Sequence, residues 1–121
     1  MKLDQDLVRQ LLLAIEASER SPQHWVKFDL PDLDAEVLSY HIQLLDEAGL
    51  IVAQDVSSLS AYRWRAKRLT YRGHEFLNTI RDSGIWRATK ATAAKVGGAS
   101  INLLWEIAKA ELKAKLGLPP A

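Results

Sequence analysis

Three features of this chain predict a mainly helical α+β domain. Residues 34–51 read DAEVLSYHIQLLDEAGLI, an amphipathic helix closed by Ala48-Gly49-Leu50-Ile51. A basic hairpin follows, in which Arg63, Arg65 and Lys67 alternate with Tyr62, Trp64 and Ala66. LTYRGHEFL then opens a return helix. Helix, β-ribbon and return helix in that order form the second half of a winged helix. The expected architecture is therefore winged-helix-like, a reduced helix-turn-helix with a β-hairpin wing. The domain is placed at residues 1–82, with 83–121 as a C-terminal helical extension packed on it or on a partner chain.

The first helix is expected from Asp4, a plausible N-cap, to about Ser18. Leu3, Leu7, Val8, Leu11, Leu12, Ala14 and Ile15 recur at three- and four-residue spacing and define its buried stripe. Ser21-Pro22-Gln23 breaks it, and alternation over His24-Trp25-Val26-Lys27-Phe28 predicts a short strand. In the second helix Asp34 caps, while Leu38, Ile42, Leu45 and Val37, Leu44, Ala48 form two apolar rows. Gly49 suits the left-handed residue that ends it. The wing strands are expected at Leu50 to Gln54 and Tyr62 to Arg68, with a loop over 55–60. Thr70 can cap the return helix, in which Phe76, Leu77 and Ile80 point inward. Gly73 weakens its first turn, so close backbone packing is the expected reason for it. A further helix spans about Ile85 to Val96 and stops at Gly97-Gly98. Ser100 caps a last helix with the stripe Ile101, Leu104, Trp105, Ala108, Leu112 and Leu116, ended by Gly117 and Pro119-Pro120.

With 121 residues and 48% hydrophobic content, the chain has the size and apolar fraction of about one globular domain. It has no cysteine, which excludes disulfides, thiolate metal sites and thiol nucleophiles and suits a reducing cytoplasm. Asp4, Asp6 and Arg9 interrupt any signal-peptide core. The longest uncharged stretch, Val96 to Trp105, has 10 residues, against the roughly 20 of a membrane span. A soluble cytoplasmic protein is expected. The net charge of +1 hides an asymmetry. Residues 1–60 carry four Lys/Arg against eleven Asp/Glu, a balance of −7, and the remaining twelve against four give +8. Such a split marks either nucleic-acid binding by the basic half or packing of the acidic half on the basic half, of the same chain or of another copy.

No catalytic, metal or cofactor site assembles from the residues, and no small-molecule ligand is indicated. His24, His41 and His74 lie on separate elements. His74-Glu75 begins like His-Glu-x-x-His, but Asn78 stands where the second zinc ligand belongs. Gly97-Gly98 lacks the lysine and hydroxyl of a phosphate loop. The chain is therefore read as non-enzymatic. His41 and the four tryptophans fall on faces expected to be buried.

What remains is the basic ribbon. Arg63, Arg65 and Lys67, with Arg68 and Arg72 beside them, are the candidate phosphate contacts, since cations along a wing release counterions from DNA. Base readout would fall to Ser39, Tyr40 and Gln43, which form the polar face opposite the apolar stripe, with His41 on the stripe a further position. Two features oppose specific readout. Asp34, Glu36, Asp46 and Glu47 decorate that helix, and residues 21–33 are too few and too proline-rich for a positioning helix. The expectation is weak, backbone-dominated binding of double-stranded DNA in a regulatory role. The alternative is a protein-interaction module using the acidic second helix. Leu103 and Ile107 add a second apolar row to the last helix, so a homodimer through it is expected.

The start MKLDQDLVRQLLLAIE, the centre LSYHIQLLDEAGLI, the joint RLTYRGHEFLNTIRDSGIW and the tail GLP together resemble domain-of-unknown-function family 2513, an uncharacterised family of bacteria and their phages. Leu69 to Asp82 with Ile85-Trp86 is the most specific part. The resemblance implies a winged-helix-like fold and brings neither an activity nor site residues.

Overall fold

The computed structural model describes residues 1–18, 21 and 23–119. Pro22 and Pro120, both expected among helix terminators, lie outside them. Along the described chain run α1 (Gln5–Ala17), α2 (Ala35–Glu47), β1 (Ile51–Asp55), β2 (Trp64–Leu69), α3 (Tyr71–Ile80), α4 (Ser83–Ala94) and α5 (Ile101–Lys115). The class is α+β, mainly α, with one antiparallel two-stranded hairpin. The chain forms two compact units, Met1–His74 and Glu75–Ala121. Their boundary falls inside α3.

In the first unit α1 packs on α2 and β2, and α2 packs on both strands. Asp4 caps α1 by accepting from the Leu7 amide at 3.1 Å, and Leu7, Val8, Leu11, Leu12 and Ile15 are buried. Asp34 caps α2 through the Glu36 and Val37 amides at 2.8 and 3.3 Å. At its other end Gly49 takes φ +76°; its amide donates to Asp46 and that of Leu50 to Leu45. This pair of bonds closes the helix and delivers a buried Leu50 directly into the hairpin.

Two expectations about strands are corrected. Residues 24–28 form no strand; the Val26 amide donates to the Ala66 carbonyl at 2.8 Å, and a single backbone bond to β2 does not make a ladder. The alternation along β2 also breaks. Ala53 pairs with Ala66 and Val52 with Arg68, so Lys67 is the extra residue of a bulge. Ala66 and Leu69 are consequently the buried pair, three residues apart, while Arg65 and Arg68 share the exposed side.

Thr70 joins hairpin to α3. Its hydroxyl accepts from the Gly73 amide at 3.0 Å and donates to the Gly49 carbonyl at 2.6 Å. Gly73 faces the Leu50 carbonyl so closely that a β-carbon there would lie 1.9 Å from its oxygen. The expected close approach is present.

In the second unit α4 packs on α5. Asp82 caps α4 by accepting from the Ile85 amide at 2.9 Å, and its other oxygen receives Lys115 Nζ at 2.9 Å. Phe76 and Trp105 meet edge to face, centroids 5.5 Å apart, and the Trp105 indole donates to Thr79 at 3.3 Å. Leu104 and Ala108 are buried on α5, but Leu116, expected on the buried stripe, is the exposed C-cap at 63%. Helix geometry turns away there because Gly117 takes φ +72°. No helix among the described residues is long and apolar enough to cross a membrane.

Candidate nucleic-acid interface

The hairpin gathers four of the expected cations. Arg63, Arg65 and Arg68 are exposed and Lys67 is half-buried. Over residues 51–69 a single carboxylate, Asp55, accompanies them. It accepts from the Ser57 amide at 2.9 Å, and hydrogen bonds from the Ser57 hydroxyl and amide hold its carboxyl below the ordinary aspartate range. The Arg63 backbone is fixed on both sides. Its amide donates to Ser57 Oγ at 2.9 Å, and its carbonyl accepts from the Val56 amide at 2.9 Å. The arginine is thus carried on a closed hairpin end rather than on a free loop.

Trp25 organises the middle of this surface. Lys67 Nζ lies 4.9 Å from its ring centroid and the Arg65 guanidinium carbon 6.0 Å. The half-buried indole, with Val26, Lys27 and Arg65, lines a surface cleft of about 410 Å³. Sequence reasoning missed this role. The alternation that suggested a strand was the only signal there, and it gave no partner for Trp25.

The remaining expected contacts are placed elsewhere. Arg72 Nε donates to the Ala48 carbonyl at 3.3 Å, so its cation sits at the negative end of the α2 dipole. Ser39 is buried, and its hydroxyl accepts from the Trp64 amide at 3.1 Å. Gln43 Oε1 accepts from the Tyr62 hydroxyl. Burial then pushes the Tyr62 phenol up, with the Asp55 charge adding to it. Asp46, expected to decorate a groove-facing helix, accepts from the Ala53 amide at 3.1 Å. Residues 39, 43 and 46 lie at helical spacing on one face, and all three bind the hairpin. The polar face of α2 is therefore a seam to β1 and β2, where the sequence suggested a free reading surface. Tyr40 is half-buried, while Glu36 and Glu47 are exposed.

His41 is 1% exposed and faces the core. Its Nε2 accepts from the Asp4 amide at 2.9 Å, and Nδ1 lies 2.8 Å from the Val37 carbonyl. An amide can only donate, so the ring proton sits on Nδ1. Both nitrogens are used structurally.

Comparison with known proteins gives the family and no activity. A family model described as "Hypothetical protein (DUF2513)" matches residues 2–100. An "Uncharacterized protein" of Haemophilus influenzae (strain ATCC 51907 / DSM 11121 / KW20 / Rd) is 39% identical over 92 residues, covering 76% of this chain and 78% of the relative. No solved structure matches. The extent of the family match, from residue 2 through the last residue before α5, makes the chain a member of the DUF2513 family.

Proposed function

We propose that this protein is a non-enzymatic, winged-helix-like DNA-binding module that grips duplex phosphates with its hairpin. The observation that carries the reading is the grouping of Arg63, Arg65, Lys67 and Arg68 on one hairpin beside a single, hydrogen-bonded carboxylate. With Ser39, Gln43 and Asp46 bonded to the hairpin, little of α2 remains for base readout, so binding is backbone-dominated and largely independent of sequence. Transcription regulation in a bacterial or prophage cytoplasm is the context proposed with it.

Fluorescence anisotropy with a labelled duplex tests the reading. About three phosphate contacts give a log–log salt slope of roughly −3. Replacing Arg63, Arg65 and Lys67 together with alanine flattens that slope towards zero. Equal binding by parent and triple variant removes the hairpin from the reading.

A second reading is favoured by exposed Glu36 and Glu47 on α2, which suit a basic protein partner. It predicts that reversing both charges abolishes capture of a polylysine probe, with DNA binding by the parent absent. Self-association through α5 is proposed under either reading. Leu103 is 44% exposed and Ile107 half-buried on its second apolar row. Sedimentation equilibrium should show a dimer of the full chain and a monomer for Leu103→Asp; a monomeric parent at tens of micromolar refutes it.

A further inference from the structure

The hairpin end displays one large apolar side chain that nothing in the fold covers. Leu59 stands at 111% relative exposure, above every other large hydrophobic residue described. The turn beneath it is well tied. The Ser58 amide donates to the Ala61 carbonyl at 2.8 Å, the return bond is 3.4 Å, and the Ser58 and Ser60 hydroxyls lie 3.3 Å apart. Leu59 is therefore held out by a closed turn.

Its surroundings decide what it can meet. Ser57, Ser58 and Ser60 are all exposed, so hydroxyls rather than apolar groups adjoin the leucine along the chain. The nearest exposed charges along the chain are Asp55, which accepts from the Ser57 amide, on one side and Arg63 and Arg65 on the other, so cations outnumber the carboxylate. A lone leucine ringed by hydroxyls and backed by cations matches a duplex. Apolar wedges enter between base steps from the minor groove, while hydroxyls and cations contact the flanking phosphates.

We infer that Leu59 is a minor-groove wedge that partly unstacks one base step and bends double-stranded DNA. The inference rests on the hairpin reading above and adds a deformation that phosphate contacts alone do not produce. Flexible pyrimidine–purine steps are the preferred sites, since they kink most readily.

The test uses the full chain and a duplex of about 25 base pairs carrying a fluorophore at each end. The parent should raise energy transfer between the ends on binding. Leu59→Ser, which removes no packing contact, should abolish that rise. Its affinity should stay within about threefold of the parent, because lost burial and recovered stacking offset each other. Its salt slope should not change, since every cation remains. A parent that binds yet leaves the duplex straight, or a Leu59→Ser variant that bends it equally, overturns the wedge and leaves the hairpin reading standing. A parent without affinity for any duplex overturns both.

Discussion

His41 Nε2 accepts the backbone N–H of Asp4 across 37 residues of sequence, so the middle of α2 holds the residue that caps α1. A helix start leaves its early amides without intrahelical partners, and a buried one must find them elsewhere. Replacing His41 with leucine keeps much of the volume but strands the Asp4 amide and empties the Val37 contact. The variant should lose about 1 kcal/mol of stability, as loss of a part-buried hydrogen bond does. Urea denaturation should show a lower midpoint with an unchanged slope. An unaltered midpoint would mean that water replaces the imidazole at no cost.

Gly73→Ala should destabilise the protein although alanine is the better helix former by ~1 kcal/mol. The added carbon would meet the Leu50 carbonyl oxygen at 1.9 Å, so strand or helix must shift. Overpacking of this kind costs about 1–3 kcal/mol. A thermal melt of the variant above that of the parent contradicts the close approach.

Ser39→Ala separates a seam from a reading surface. It leaves the Trp64 amide without its acceptor and should cost about 1 kcal/mol. Duplex affinity measured well below the melting temperature should remain within about twofold, because the hydroxyl already faces the hairpin. A large affinity loss with stability intact would return Ser39 to the DNA.

Asp82 provides a pH test in the second unit. The Ile85 amide, then Lys115, hold its carboxyl below the ordinary aspartate range. With the folded value depressed, its contribution is complete above the unfolded aspartate value and disappears as pH falls through the folded one. Asp82→Asn keeps a capping oxygen but cannot titrate. The parent should therefore lose more melting temperature than Asp82→Asn between neutral pH and pH values below the aspartate range. Parallel curves would assign the acid sensitivity to other carboxylates.

Helix ends were legible in the sequence because their causes are local. Asp4, Asp34 and Ser100 each supply an oxygen to the first turn, and Gly49 and Gly117 supply positive φ where their helices stop. Gly73 was legible for the same reason: a glycine inside a helix start calls for a steric cause. The interface was legible only as composition. A polar row at 39, 43 and 46 has one spacing whether it meets bases or a strand, and only the tertiary partners Trp64, Tyr62 and Ala53 decide. The bulge at Lys67 depends on strand register, which alternation alone cannot fix.

The bulge and its neighbours also bear on how the protein avoids clumping. A two-stranded ribbon offers open ladder groups on both sides, and such rows template pairing with other chains. Here the Ala66 carbonyl is occupied by the Val26 amide, and the Ala53 amide is occupied by Asp46. The extra residue beside that pair, Lys67, interrupts the regular ladder, and exposed Arg65 and Arg68 repel a like-charged copy. Strand-by-strand growth into fibrils would first have to detach residues 25–27 or lift α2, so the folded hairpin is a poor seed for cross-β association.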